Sequence, residues 1–237
     1  MMVGRFYFCL MTYFDHMTKN LLSLYILLLI LFSCKNKEVG TPQFTYIGGE
    51  IVNPKGDYVI FYKDEKILDS VKLDANNFFI YKAKNIEEGI YSFSHKEYQV
   101  FYLSPSDSLM FRVNTLDFDE SLSFTGIGAE RNNFLMEMFL HNEEEIELMP
   151  KFYKLAPVNF EQKMDSLRKI RWLVYNEFVL KNNPDDKFKE IAKASINYDY
   201  YSKKEIYINA NERKKESESY FEIPDNFYSH RDSIDFG

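Results

Sequence analysis

The residues of this chain able to do more than pack are two cysteines, four histidines and a few clustered acids. His16, His95, His141 and His230 never fall at H-x-H or H-x-x-x-H spacing, so a metal site would need ligands converging from distant segments. They read as structural or surface histidines, and no metal ligand is assigned. A serine nucleophile elbow, G-x-S-x-G, does not occur. Gly126-Ile127-Gly128-Ala129-Glu130-Arg131 begins as a dinucleotide loop begins but lacks the third glycine, and reads as the turn from a last strand into a first helix. Asp117, Asp119 and Glu120 lack the order and glycine of a calcium loop. Glu143-Glu144-Glu145 has no histidine ligand one turn away on a paired element and reads as a solvated helix face. No catalytic residue and no cofactor are assigned, and an unrecognised hydrolase has no motif behind it.

Cys34 is different, because its surroundings specify a chemistry. Residues Asn20 to Ser33 form an apolar run of about 14 residues, too short to span a bilayer and right for the core of a secretory signal. Lys19 supplies its positive flank, and the run ends Leu31-Phe32-Ser33-Cys34. This has the order of a bacterial lipobox: an aliphatic residue at minus three, a small residue at minus one, then cysteine. Cleavage before Cys34 and acylation of its thiol would anchor the protein by its N-terminus, each buried CH₂ contributing about 0.8 kcal/mol. Met17 is the more conventional start, since residues 1–16 are already apolar and carry Asp15. Cys9 goes with the signal, so thiol chemistry is not expected of the mature chain.

The elements that must position anything else follow from composition and period. The 237 residues are 46% hydrophobic and 27% charged, a globular composition. The net charge of -7 argues against nucleic acid as a partner. From Phe44 to about Thr125, short runs rich in Val, Ile, Phe and Tyr alternate with turn signals at 53–57, 63–66, 74–77 and 104–107. Eight strands are expected, at 44–52, 57–63, 66–73, 77–83, 89–95, 98–103, 108–113 and 121–126. After Gly128 the period becomes helical. A first stripe runs through Phe134, Leu135, Met138, Phe139, Ile146 and Met149. A second helix over about 160–181 takes Asn159 as its N-cap and Phe160, Met164, Leu167, Ile170, Val174 and Phe178 as its stripe. A third begins at Asn183-Pro184 and continues to about Lys215, with a break possible within YDYYSKKEIYINANE. The ending, to Gly237, offers this helical part no further face and reads as cut short.

The fold class expected is therefore α+β, an N-terminal antiparallel β-sandwich or partly open barrel followed by an α-helical segment. The organisation is a signal peptide over 1–33, a lipidated tether over 34–43, the β module over 44–128 and the helical segment over 129–237.

One resemblance runs along most of this span. It is carried by Gly49, Asn53-Pro54, Asp69-Ser70, Leu73-Asp74 before Phe78-Phe79, Gly89-Ile90-Tyr91 and Leu103-Ser104-Pro105-Ser106-Asp107-Ser108-Leu109. Phe124-Thr125-Gly126-Ile127-Gly128-Ala129 before Asn132-Asn133-Phe134-Leu135 completes it. The chain resembles the N-terminal portion of Bacteroidetes envelope lipoproteins of the TlpA thiol–disulfide oxidoreductase family, ahead of their thioredoxin-like domain. The C-x-x-C motif of that domain is absent, and Trp172 has no cysteine beside it. The resemblance thus implies a non-catalytic lipoprotein of the cell envelope, on the periplasmic face of the outer membrane, acting as a docking module or a truncated remnant. The alternative is a glycan- or peptide-binding lipoprotein that uses the aromatics Tyr98, Phe101 and Tyr102, or Tyr198, Tyr200, Tyr201 and Tyr207.

Overall fold

The computed structural model describes residues 44–216 and 219–234. Cys34, the signal segment and the tether lie outside the described residues. The described chain opens with strands β1 (Phe44–Val52), β2 (Tyr58–Lys63), β3 (Lys66–Lys72), β4 (Phe78–Lys84), β5 (Gly89–His95), β6 (Glu97–Leu103) and β7 (Ser108–Asn114). A one-turn helix α1 (Phe118–Ser121) precedes β8 (Ser123–Ile127). Helix α2 (Ala129–Ile146), the short α3 (Met149–Phe152), α4 (Pro157–Asn182) and α5 (Asp186–Glu212) follow, then a 3-10 segment, Asp225–Ser233. The chain is α+β with its sheets first, as expected.

Two four-stranded sheets, in the orders β4-β1-β7-β8 and β3-β2-β5-β6, pack face to face. Buried residues alternate along most strands: Val59 and Phe61 from β2, Phe93 from β5, Phe101 from β6 and Phe111 from β7 face inward, whereas β3 is exposed apart from the half-buried Val71. Phe93 stacks on Phe111 at 4.4 Å across the layers, and Phe61 on Tyr81 at 4.9 Å. Part of the aromatic surplus fills the space between these layers, and the helical cores take up more of it, Phe160, Tyr207 and Phe188 among them.

The pairing is not wholly antiparallel. β1 and β7 run parallel, in register from Tyr46–Ser108 to Val52–Asn114. Parallel neighbours need a long crossover, and the chain supplies it by building β2 through β6 before returning to β1. Gly49 permits this pair: a Cβ there would lie 1.9 Å from the carbonyl oxygen of Phe111.

Helix α2 closes the open side of the sandwich. Ala129 and Met136 join the sheet core, whereas Phe134 and Met138 join a second core with Tyr175 and Phe188. Adjacent asparagines at its start reach opposite edge strands. Asn132 accepts from the amide of Tyr102 on β6 at 2.7 Å and donates to its carbonyl at 2.9 Å. Asn133 does the same for Phe124 on β8, at 2.9 Å each way. Exposed edges are an aggregation liability, and one helical turn satisfies part of both. Gly128, at φ +96°, makes the turn into α2, because a Cβ there would meet Asp107 Oδ2 at 2.7 Å.

The long helices depart from expectation at their ends. α4 begins at Pro157, two residues ahead of the expected Asn159 cap; its N-cap is Ala156, and proline suits the first position because its missing N–H has no partner to lose. Asn183 does not cap α5 but ends α4 in the left-handed conformation, at φ 41°. Asp185 is the cap of α5, its Oδ1 accepting from the Phe188 amide at 2.7 Å. α5 then runs unbroken to Glu212. The ending does find a face: Ile223 and Phe227 pack with Phe160 and Tyr207 in a third core. Among the described residues no helix is long and apolar enough to cross a membrane.

Candidate interaction faces and the polar joints that frame them

Two buried polar joints fix the helices on the sheets and on one another. The first lies where β6, the β6–β7 turn, α2 and α5 meet. Arg131 Nη2 donates to both Asp107 oxygens at 2.7 Å, and Nη1 donates to Asp185 Oδ2 at 2.9 Å. The Tyr102 hydroxyl donates to Asp185 Oδ1 at 2.9 Å. Asp107 also accepts from the Ser104 amide at 2.8 Å, which rigidifies the Ser104-Pro105-Ser106-Asp107 turn. Burial pushes the Asp107 carboxyl above the ordinary range despite the Ser104 amide and Arg131. Burial acts likewise on Asp185, but the Phe188 amide, Tyr102 and Arg131 outweigh it and hold that carboxyl low. Burial, with the hydroxyl's bonds to Glu88 and Asp185, drives the Tyr102 phenol far above its usual range. One cation thus holds two carboxylates from different elements, which is the geometry of a structural lock.

The second joint corrects the reading of the acidic run. Glu143 and Glu144 are exposed, but Glu145 is buried between α4 and α5. It pairs with Arg171 of α4 and, at 2.5 Å, with Lys203 of α5, and Lys203 also donates to Asp199 at 2.7 Å. Nearby, Lys204 is almost fully buried against Glu161 at 2.6 Å, with Phe227 4.3 Å from its ammonium. The sequence held a signal for this: Arg171 and Tyr175, rather than Ile170 and Val174, carry the buried face of α4 at mid-helix. A stripe read from apolar residues alone overlooks a buried arginine.

The single residues considered for chemistry are occupied structurally. His95 accepts or donates at both ring nitrogens, 3.0 Å from the Lys55 amide and 2.9 Å from the Tyr58 carbonyl. His230 lies 2.7 Å from Glu205 Oε1, which Arg231 also binds. His141 sits on the surface of α2 beside Glu137 and Glu144. Asp119 accepts from Gln99 at 3.0 Å, and burial raises its carboxyl. Asp117 and Glu120 flank it at α1. Among the described residues no group of three or more His, Cys, Asp or Glu stands together as a metal-ligand set. Gly126-Ile127-Gly128 is the strand-to-helix turn its composition suggested.

Among the described residues several surfaces expose apolar side chains, and the β3-β2-β5-β6 sheet and α4 carry two of them. On the outer side of the β3-β2-β5-β6 sheet, Tyr58, Ile60 and Tyr62 alternate with the buried Val59 and Phe61, and Tyr98 and Val100 do so with Gln99 and Phe101. The register places Ser94 between Ile60 and Tyr98, and Ser92 between Tyr62 and Val100. Tyr62 and Tyr98 meet over this low row at 6.0 Å, and the Tyr62 hydroxyl lies 3.1 Å from Ser94 Oγ. Of the expected aromatic clusters, Phe101, Tyr102, Tyr200 and Tyr207 are buried, whereas Tyr98 and Tyr198 are the exposed members. The second face is on α4, where Ile170, Leu173 and Leu180 are 51%, 60% and 87% exposed.

The class defined by fold and surfaces is an eight-stranded β-sandwich closed by a helix and extended by a helical hairpin, with apolar faces left open. No protein-family model matches the chain, and neither a curated protein nor a solved structure matches it.

Proposed function

We propose that this chain is a non-catalytic lipoprotein of the bacterial envelope, anchored through Cys34, whose sandwich and helices serve as a docking body. The observation that supports docking is the pair of open apolar faces, since Leu180 at 87% and Leu173 at 60% exposure on an ordered helix are more than scattered surface residues. The two polar joints suit such a role, because they hold α2, α4 and α5 rigidly where the faces are displayed. The anchor rests on the signal-like run ending at Ser33-Cys34. The location that goes with this reading is the outer membrane, facing the periplasm, as the resemblance to envelope lipoproteins implies, and the acyl chains carry the attachment because the chain's net charge of -7 opposes anionic lipid. Radiolabelled palmitate is expected to enter the wild type and not Cys34→Ser; equal labelling of the two would remove the anchor.

The exposed Tyr58 and Tyr98, with the half-buried Tyr62 beside them, favour a second reading, a glycan ligand stacked on this sheet face. Retention on a panel of immobilised polysaccharides, lost in Tyr62→Ser/Tyr98→Ser, is the expected result under that reading. An unretained wild type across the panel excludes it.

A further inference from the structure

The α4 face borders a groove whose chemistry identifies a kind of occupant. It is a trough of about 350 Å³ between the start of α2 and the end of α4. Phe134, Val174 and Phe178 form its apolar floor, and Glu130, Glu137 and Glu177 stand along its rim, with Lys181 at its α4 side. Phe134 and Phe178 are 4.5 Å apart there, so the two helices already touch beneath the trough and the floor is preformed. Helical spacing extends both walls. On α2, His141 and Glu144 continue the line of Glu130 and Glu137, with Glu144 78% exposed at its side chain. On α4, Ile170 continues the line of Val174 and Phe178, and Leu173 and Leu180 form the adjoining ridge. From Ile170 to Leu180 the ridge is about 15 Å long, roughly three turns.

An apolar floor and ridge beside a line of carboxylates complements one kind of surface. We infer that this groove docks an amphipathic helix of a partner protein, its apolar stripe on the α4 ridge and its lysines or arginines against Glu130, Glu137 and Glu177. The mode is helix-in-groove recognition, with anchors at i, i+3 and i+7 spacing. A second copy of this chain is the poorer occupant, because its own groove would set carboxylates against carboxylates and the whole chain carries -7. The inference rests on the docking role proposed above but not on the lipid anchor.

The test uses the full chain in a neutral maltoside detergent, with detergent alone as background. The probe is a fluorescein-labelled 14-residue helix of leucine and lysine, leucines on one face, followed by fluorescence anisotropy at low and physiological salt. Its leucine–glutamate counterpart is the control probe. Glu137→Lys/Glu177→Lys is expected to weaken the lysine peptide about tenfold or more, and Leu173→Gln/Leu180→Gln similarly. Asp64→Lys/Glu65→Lys, which makes the same change in net charge on the exposed β2–β3 turn, is expected to leave binding within about twofold. All these positions are exposed, and circular dichroism confirms folding. Equal weakening by the groove and turn reversals, or equal binding of both peptides, overturns the inference. Binding lost in Tyr62→Ser/Tyr98→Ser but kept in the groove variants leaves docking in place and moves the site to the sheet face. A wild type that binds neither peptide overturns the groove and leaves palmitate labelling as the independent measure of the anchor.

Discussion

Glu145→Ala is expected to cost about 3–5 kcal/mol of folding stability, whereas Glu143→Ala and Glu144→Ala, two and one residues away, move it by about 0.5 kcal/mol or less. The difference comes from burial. The side chains of Glu145, Arg171 and Lys203 are 9%, 8% and 9% exposed, so the two cations have little water to fall back on. Removing the carboxylate leaves Lys203 with Asp199 alone and Arg171 with the amide oxygen of Asn142, at 3.3 Å. Arg171 Nε already has no hydrogen-bond partner among the described residues, so the joint has no spare acceptor to offer there. Breaking a buried pair is costly even where forming it contributes little, since desolvation nearly offsets attraction. Replacing the whole triad by Glu145→Leu/Arg171→Met/Lys203→Met is therefore expected to recover most of the loss. Urea denaturation of the five proteins measures the series. A Glu145→Ala midpoint equal to that of Glu144→Ala would show that the joint contributes nothing.

Arg131→Ala is expected to cost about 3 kcal/mol at neutral pH, with the loss shrinking on acidification. Arg131 is the cation shared by Asp107, whose side chain is 4% exposed, and Asp185, at 31%. Without it Asp107 keeps the Ser104 amide as its chief partner, and ionisation in place becomes expensive. A carboxyl whose folded pKa is raised penalises folding above that pKa, and the penalty disappears once the pH falls below the unfolded value. The penalty on Asp107 deepens when Arg131 goes, so the variant and the wild type converge as Asp107 takes up its proton. Asp185 runs oppositely: its lowered pKa contributes stability above the ordinary carboxylate range, lost as pH falls through the folded value. Asp185→Asn should therefore flatten the acid limb of the wild-type profile. Denaturation midpoints at neutral and mildly acidic pH measure both effects. A loss in Arg131→Ala that is constant with pH would mean that Asp107 is not the group left stranded.

The strands were legible because each is short and alternating. Val59 and Phe61 against Tyr58 and Ile60 state which side of β2 faces inward before any partner is known. Turn chemistry punctuated them reliably, as at Asp74, whose carboxylate takes the amides of Asn76 and Phe78. The strand-to-helix turn at Gly126 and Gly128 was legible for the same local reason, a need for positive φ that glycine meets most cheaply. Helix ends are less legible, since Asn183, Pro184 and Asp185 are all admissible boundary residues. Only the packing of α4 on α5 decides that Asn183 closes one helix and Asp185 opens the next.

The apolar run ending at Ser33-Cys34, the α+β order and the absence of a C-x-x-C pair belong to the sequence by itself, because each depends on residues close along the chain. What only the tertiary structure decided is which like residues play unlike parts. Glu145 becomes the centre of a buried joint while Glu144 stays in water, and Tyr98 faces out while Tyr102 is locked to Asp185. The physical reason is distance along the chain. Arg171 and Lys203 lie 26 and 58 residues from Glu145, so no local pattern announces them. The groove has the same origin: its carboxylates come from α2 and α4, and it exists only where those helices meet over Phe134 and Phe178.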